Sequence, residues 1–173
     1  MKLEHYVAAV VAIIYAALIA CAVVMLTTSA RASTGVYVIN ADNGGAVYDY
    51  YNQAEVMAEY DVRVVIAGTC ASACTLYLSP VFGLNVCMYP QARLQFHRPF
   101  LVHKRTDEIL YTSAARRIAK IEGEWMFNMM PDKIKKLAPY KRWPGVYSGD
   151  SPNDMYTLYG KQLIEEGVVH ACE

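Results

Sequence analysis

The sequence predicts an α/β domain built on a parallel sheet with crossover helices. Short apolar runs that are typical of buried strands occupy residues 35–39, 62–67 and 85–89, and intervening segments separate them. Strands that alternate with helices in this order pair in parallel, because each connection crosses back over the sheet. Glycine-rich turns at 42–45 and 68–72 follow the first two strands. Ligand sites in such sheets lie at the carboxyl ends of strands, so a site is expected at these turns.

The first helix is predicted over residues 46–60, where apolar side chains recur every three or four positions. After the second glycine-rich turn, residues 71–79 predict a short apolar helix that ends at Pro80. A further strand is predicted over 93–97, shortly after Pro90 closes the third strand.

The C-terminal half is predicted to be mainly helical. Thr106 is followed by Asp107 and Glu108, which predicts the start of a long helix that ends near residue 130. A threonine cap and two acids suit this position, because a helix begins at the positive end of its dipole. The remaining predicted segments are a helix over 132–137, a loop over 139–153, a helix over 158–166 that ends at Gly167, and a strand at 168–169.

Composition narrows the classes of function. The chain has 173 residues, of which 55% are hydrophobic and 18% are charged, and this is too apolar for a disordered protein. Sixteen basic and 16 acidic residues give a formal net charge of zero, and they form no basic block. A nucleic-acid partner is therefore not expected.

The N-terminal segment predicts export or membrane attachment. Residues 6–26 contain no charge, no glycine and no proline, and a helix of that length spans a bilayer core. Ala30 and Ala32 form the small-x-small pattern of a signal-peptidase site. Residues 1–32 are therefore predicted to be a cleaved signal peptide or a transmembrane anchor, and the length of the apolar run slightly favours the anchor. Either one would place a domain of residues 33–173 outside the cytoplasm, on the periplasmic side of an inner membrane.

Four cysteines lie beyond this segment, namely Cys70, Cys74, Cys87 and Cys172. An even number in an oxidising compartment predicts disulfides, but three full pairings are open. Cys70 and Cys74 can reach disulfide distance across a helix start, so we expect at least one of them to be oxidised. Zinc is the alternative for this pair. It is disfavoured because no second close Cys/His pair completes four ligands, and no metal is predicted.

Ser72 is the candidate nucleophile. It lies in the predicted strand-to-helix turn between the small residues Ala71 and Ala73. A hydroxyl at this position lies near backbone N–H groups that have no helical acceptor and can stabilise an oxyanion. The alternative interpretation is an ordinary helix cap.

A nucleophilic serine needs a base. His97 ends a predicted strand, whereas His103 lies in a charged loop and His170 lies near the C-terminus. Strand-end placement favours His97, and a purely structural histidine is the alternative. Gly44 and Gly45 form the third feature, because paired glycines present backbone N–H groups to a ligand without a side chain in the way. The alternative for them is an ordinary turn.

These features together resemble the Clp protease proteolytic subunit (ClpP) family over residues 36–100. That family carries an Asn-Ser-Pro-Gly-Gly turn, a Gly-x-Ala-Ala-Ser-Met serine turn and a strand reading Leu-Pro-Asn-(Ala/Ser)-Arg-x-Met-x-His-x-Pro. The corresponding segments here are Asn40-Ala-Asp-Asn-Gly44-Gly45, Gly68-Thr-Cys-Ala-Ser72-Ala and Met88-Tyr-Pro-Gln-Ala-Arg93-Leu-Gln-Phe-His97-Arg-Pro99. Exported ClpP-like proteins of bacteria are more similar still, since they carry Cys-Ala-Ser-Ala-Cys at the serine turn and a Phe-His strand.

The resemblance implies a ClpP/crotonase-like fold and a set of catalytic roles. Ser72 corresponds to the nucleophile and His97 to the base, and the 25 positions between them are the family's spacing. Asp154 corresponds to the orienting acid after a one-residue shift, and Asp150 is the alternative. The implied oxyanion hole consists of backbone N–H groups of Gly44, Gly45 and Ala73.

The implied function is a serine peptidase that hydrolyses peptides or proteins without a metal or organic cofactor. The resemblance also implies a homo-oligomer, since ClpP subunits assemble into rings. Asn43 stands where the family has proline, and Ala73 stands where it has methionine. These departures keep open an inactive, membrane-tethered ClpP-like binding module. A crotonase-like acyl-thioester enzyme is a third interpretation, but the serine–histidine spacing favours the peptidase.

Overall fold

Two long parallel strands form the centre of the fold in the computed structural model, which describes residues 35–173. Strand β1 (Gly35–Asp42) pairs in parallel with β2 (Val62–Ala71), and helix α1 (Val47–Glu59) connects them. Ala54 and Met57 form the buried side of α1. The predicted strand–helix–strand unit is confirmed, and both strands extend further at their carboxyl ends than predicted.

Gly68 does not end β2, although a strand break was the prediction there. The β1–β2 register shifts between Ile39 and Ala41, and Gly68 lies against the carbonyl of Asn40. A Cβ atom on Gly68 would collide with that carbonyl oxygen. Because glycine carries no side chain, the strand passes the irregularity and continues to Ala71.

Strand β2 changes partners along its length, and this curls the sheet. Strand β3 (Val86–Met88) pairs with the first half of β2, and β4 (Arg93–Phe96) pairs with the second half, both in parallel. On the outer sides, β6 (His170–Ala171) is parallel to β3, and β5 (Tyr156–Tyr159) is antiparallel to β4. The order is β5-β4-β2-β3-β6, with β1 also paired to β2.

Strand β5 differs from the predicted fold in its direction, at one edge of the sheet. The prediction of a wholly parallel sheet is wrong there, because β5 runs antiparallel to β4. The predicted helix over 158–166 is shorter, since α4 spans Gly160–Glu165. Tyr156, Thr157 and Tyr159 are aromatic or β-branched residues that favour a strand, and this preference outweighs helical spacing. Gly167, with a φ of 62°, ends the helix as predicted.

The long helix α2 (Ser113–Met129) begins later than predicted. The Thr112 hydroxyl oxygen caps it by accepting a backbone N–H. Thr106 lies instead in a loop that is closed by an isolated antiparallel bridge between Val102 and Ile109. Both threonines have the chemistry of a cap, and this tertiary pairing keeps the first one out of the helix. The short helix α3 (Asp132–Leu137) lies where it was predicted.

The hydrophobic core lies between the sheet and the helices. Trp143 is its largest buried side chain, and its ring stacks on Phe96 of β4 with centroids 5.1 Å apart. The Trp143 indole N–H donates to the carbonyl of Ala138 at 2.9 Å. The predicted loop over 139–153 contains two short 3₁₀ turns, Tyr140–Arg142 and Val146–Ser148.

All four cysteines beyond the N-terminal segment form disulfides. Cys70 is bonded to Cys74, with Cα atoms 5.3 Å apart, and Cys87 is bonded to Cys172, with Cα atoms 5.0 Å apart. The expectation that one of the first two cysteines is oxidised is confirmed. The first bridge encloses the Ser72 turn, and the second attaches the C-terminal strand to β3.

The predicted signal peptide or membrane anchor, residues 1–32, lies outside the described residues. Within residues 35–173, every helix is too short or too polar to cross a bilayer.

Removal of the Cys87–Cys172 bridge should lower the free energy of unfolding by about 4 kcal/mol, because the bridge closes a long loop, with a sequence separation of 85. The variant is Cys87→Ala with Cys172→Ala, and guanidinium denaturation of the oxidised protein measures the change. The control repeats the comparison under reducing conditions, where the difference should fall to about 1 kcal/mol or less. A difference of equal size in both conditions would contradict stabilisation by the cross-link.

Candidate active site

Three adjacent strands end at one cleft. The turn after β1, the turn after β2 and the segment after β4 all line a cavity of about 500 Å³. The residues that line it are Asn43, Gly44, Gly45, Ala46, Val47, Tyr48, Ser72, His97, Pro99, Phe100, Leu101, Val102 and Glu122. The cleft therefore brings together Ser72, His97 and the glycine turn, at the carboxyl ends of strands, as topology predicts.

Ser72 has a backbone conformation that few serines adopt. Its φ is 55°, in the left-handed region, and it joins β2 directly to a 3₁₀ segment, Ser72–Leu78. Buried Thr75 fixes this turn, because its hydroxyl donates to the Ser72 carbonyl at 2.7 Å. A non-glycine residue in this region costs free energy, and such residues concentrate at functional sites. An ordinary helix cap has extended backbone angles, so the turn is not explained by capping alone.

Gly44 lies directly against the Ser72 turn. A Cβ atom on Gly44 would be 2.6 Å from both the Ala71 carbonyl oxygen and Ser72 Cβ, and 2.9 Å from the Ala73 nitrogen. The φ of Gly44 is 78°, which also favours glycine. Gly44 is therefore required because it allows two backbone turns to touch.

The Gly44 N–H does not face the cleft as an oxyanion donor. It donates to Asp42 Oδ1 at 2.8 Å, and the Tyr50 hydroxyl donates to the same oxygen at 2.5 Å. Burial, together with this bond to the carboxylate, raises the pKa of Tyr50, so the phenol keeps its proton. The Gly44 N–H thus has a structural partner in this structure, and the oxyanion role implied for it stays a prediction.

Gly45 and Ala73 remain the candidate oxyanion donors. Gly45 lines the cleft, and Ala73 is the second residue of the 3₁₀ segment, where backbone N–H groups have no helical acceptor. Ala73 itself is fully buried and adjoins Ser72 on the side that meets Gly44. These two N–H groups are therefore the candidates to stabilise the oxyanion that forms when Ser72 Oγ adds to a substrate carbonyl.

His97 is neutral and has one ring nitrogen fixed. Its Nδ1 lies 3.0 Å from the backbone carbonyl oxygen of Arg98, so Nδ1 carries the proton that it donates there. Burial lowers the pKa of His97, and the bond to Arg98 opposes this only in part. The Nε2 atom keeps its lone pair and has no hydrogen-bond partner within residues 35–173. A neutral imidazole in this tautomer is suited to act as a general base.

No hydrogen bond joins Ser72 Oγ to His97 among the described residues. The ring of His97 packs instead near Phe100, with centroids 5.5 Å apart. Catalytic hydrogen bonds are commonly long without substrate and tighten when it binds. The two side chains therefore share the cleft without being engaged with each other.

Asp154 does not contact His97 in the structure. Its Oδ2 accepts the Ser151 N–H at 2.9 Å within its own exposed turn. Asp150, the alternative acid, accepts the Gly145 N–H at 2.8 Å. The backbone carbonyl next to His97 takes the place of the acid at Nδ1. The orienting role implied for Asp154 is thus not carried by any contact among the described residues.

Glu122 is a cleft residue that the sequence analysis missed. It lies on α2 and lines the same cavity as the glycine turn, and burial raises its pKa. Ala119, Gly123 and Met126 form the buried stripe of this helix, and Glu122 lies beside that stripe. An acid beside the buried stripe of an amphipathic helix was the available signal. Asp42 was also missed, although an aspartate two residues before a glycine is typical of an Asx turn.

The described residues offer no ready metal site. Within residues 35–173, no three His, Cys, Asp or Glu side chains come together as a ligand set. Cys70 and Cys74, the pair considered for zinc, are bonded to each other.

No protein-family model matches this sequence, and no curated protein matches it either.

Substitution of Gly44 by alanine should lower the free energy of unfolding by about 3 kcal/mol, because the new methyl group meets the Ser72 turn in addition to the strained φ. Gly83→Ala is the matched control, since Gly83 has a φ of 62° and no atom within 4 Å of a new Cβ. It should cost only about 1 kcal/mol. Guanidinium denaturation compares the two variants, and equal losses would contradict the packing argument.

Proposed function

We propose that this chain is a serine peptidase-like hydrolase of the ClpP superfamily that acts on peptide or protein substrates outside the cytoplasm. The observation that carries the proposal is the placement of Ser72. It occupies a left-handed strand-to-helix turn and shares a cleft with a neutral histidine whose Nε2 is unpartnered within the described residues. A strained serine turn of this kind presents the hydroxyl at the end of a sheet.

The reaction follows from these two side chains. His97 Nε2 takes the Ser72 hydroxyl proton as Oγ bonds to the substrate carbonyl carbon, and the carbonyl oxygen becomes an oxyanion. The Gly45 and Ala73 N–H groups stabilise that charge. The imidazolium then gives its proton to the leaving amine, and the peptide bond breaks. Water repeats the sequence to release the acyl group from Ser72.

The tautomer of His97 is set by the backbone in this proposal. Arg98 O accepts the Nδ1 proton and holds the ring, which is the positional part of an acid's role. A carbonyl does not offset the imidazolium charge as a carboxylate does. The proposed centre is therefore a serine–histidine dyad, and it is expected to be slower than a full triad.

Two observations support a site of action outside the cytoplasm. The described residues hold two disulfides, and such bonds persist mainly in oxidising compartments. The apolar N-terminal segment, as read from sequence, is consistent with export or anchoring. The ClpP-like fold is proposed on the same basis as the activity, from the motifs and from the mixed, curled sheet that positions them.

A non-catalytic ClpP-like binding module is the second candidate. It is favoured by the unengaged Ser72 and His97 and by the lack of a carboxylate at His97 Nδ1 among the described residues. This module would keep the cleft as a peptide-binding groove. Serine reactivity separates the two candidates.

Ser72→Ala should abolish labelling of the full-length, oxidised chain by a fluorophosphonate probe. His97→Ala should slow labelling by about 10² to 10⁴-fold, because the serine loses its base. Because the serine and its base act as a unit, the losses of labelling rate should not add, and His97→Ala should cause no further loss in a Ser72→Ala chain. Both variants should unfold within about 1 kcal/mol of wild type. The measurement is the labelling rate, followed by gel fluorescence.

Two control variants sharpen this test. His103→Ala should label like wild type, because His103 is exposed and lies outside the cleft. Asp154→Asn should also label like wild type, because its carboxylate is bonded within its own turn. A strong loss in Asp154→Asn would restore the acid role implied by the resemblance. A wild-type chain without any serine reactivity would leave only the binding module.

The labelling rate should fall on the acid side with a midpoint below that of an ordinary histidine. Burial lowers the pKa of His97, so the neutral base persists to more acidic pH and is lost only when pH falls through this lowered value. The labelling rate measured across pH checks this. A midpoint at or above the ordinary value for histidine, near about 6.5, would contradict a buried base.

A further inference from the structure

A second cavity, of about 440 Å³, lies beside the cleft and is strongly basic. Its four cations come from three segments of the chain, and no acidic side chain of residues 35–173 lines it. The residues that line this basic pocket are Arg98, Pro99, Arg116, Ala119, Lys120, Tyr140, Lys141, Gly145, Tyr147 and Ser148. The net charge of the chain is zero, so this clustering is a local feature and not a consequence of composition.

Arg98 forms one wall of the pocket, and no carboxylate of the described residues lies within salt-bridge distance of it. Its guanidinium donates to Ser148 Oγ at 3.0 Å and to the Lys141 carbonyl at 3.2 Å, and it lies 5.5 Å from the centre of the Tyr140 ring. Its Nε is buried and has no hydrogen-bond partner among the described residues. A partly buried cation with neutral partners favours a nearby anion.

The remaining cations are also largely unpaired within residues 35–173. Arg116 lies over the Tyr147 ring at 5.6 Å, and no carboxylate lies within salt-bridge distance of Arg116 or Lys141. Lys120 Nζ is 3.8 Å from Glu124 Oε1, in an exposed pair that contributes little. The pocket therefore combines four positive charges, and the one carboxylate of the described residues that pairs with them, Glu124, lies outside its lining.

The basic pocket and the cleft share one wall. Pro99 lines both cavities, and Gly123 of α2 packs so closely on Pro99 and Tyr140 that a side chain would not fit. Arg98 follows His97 directly in the sequence. The shared wall thus places the basic pocket next to the cleft in which a peptide carbonyl at Ser72 would lie.

We propose that the basic pocket binds a carboxylate of the substrate, so that the protein selects peptides with an acidic side chain or C-terminus near the bond at Ser72. This inference rests on the peptidase function proposed above. A peptide carboxylate fits better than a membrane surface, because the charges line a concave pocket with two tyrosine walls. Arginine and lysine with aromatic neighbours are well suited to hold a carboxylate.

The test measures peptide binding by calorimetry on full-length Ser72→Ala protein, which cannot turn the peptide over. The peptides are compared in pairs, in which one member has glutamate and the other has glutamine at a single position. Successive pairs place that position at successive residues of the peptide. At one position the glutamate form should bind about tenfold more tightly, and this preference should shrink at high salt. Equal binding of both forms at every position, or binding of neither, would overturn the proposal.

Variants of α2 identify the pocket as the source of the preference. Arg116→Gln and Lys120→Gln should each reduce the preference about threefold, and together they should remove it. Arg117→Gln is the matched control, because Arg117 is exposed on the same helix and does not line the pocket. Arg98 is left intact because it holds the 140–148 segment in place. A preference that survives the double substitution, or falls equally in Arg117→Gln, would overturn the proposal.

Failure of the pocket and failure of the peptidase give different results. Fluorophosphonate labelling of chains that retain Ser72 reports only on the dyad, and Arg117→Gln, which lines neither cavity, should label like wild type. A glutamate preference without serine labelling would support the carboxylate pocket and reject the hydrolase, so the chain would be a binding module. Serine labelling without the preference retains the hydrolase and rejects the pocket.

Discussion

Gly44 and the Ser72 turn touch backbone to backbone, and this contact determines the geometry of the whole cleft. Two parallel strands end side by side, and the chain leaves each of them through a left-handed residue, Gly44 after β1 and Ser72 after β2. With no side chain at Gly44, the two turns approach closely enough to align the backbone around Ser72. The Asp42 carboxylate holds the first turn, and the Thr75 hydroxyl holds the second.

The short disulfide reinforces that contact in a way that the long one does not. The Cys70–Cys74 bridge joins the end of β2 to the 3₁₀ segment, and both sulfur-bearing residues are fully buried beneath the turn. It closes so few residues that it restricts the unfolded chain only slightly. Its main effect is therefore local: it limits the conformations of the three residues between the cysteines, including Ser72.

Local patterns predicted which residues meet at the cleft better than they predicted the edges of the fold. The serine turn, the glycine turn and the strand-end histidine were readable because parallel strands bring consecutive carboxyl ends together, and Ser72 and His97 do share a cleft. The start of α2 and the direction of β5 were not readable, because pairings between residues distant in sequence decide both. The hydrogen bond from the Gly44 N–H to Asp42 was likewise not predictable from sequence, since it depends on the orientation of the Asp42 side chain.

The charges around the cleft are divided in a way that bears on catalysis. His97 stays neutral because it is buried and bonded to a carbonyl, while the cations of the neighbouring pocket lie beyond Pro99. Burial lowers the pKa of His97, and the bond to the Arg98 carbonyl opposes this only in part. A substrate carboxylate bound in the basic pocket would bring a negative charge near the cleft and ease formation of the imidazolium. Substrate binding and proton transfer would then be coupled through one wall of the cleft, without a carboxylate of the protein at His97 Nδ1.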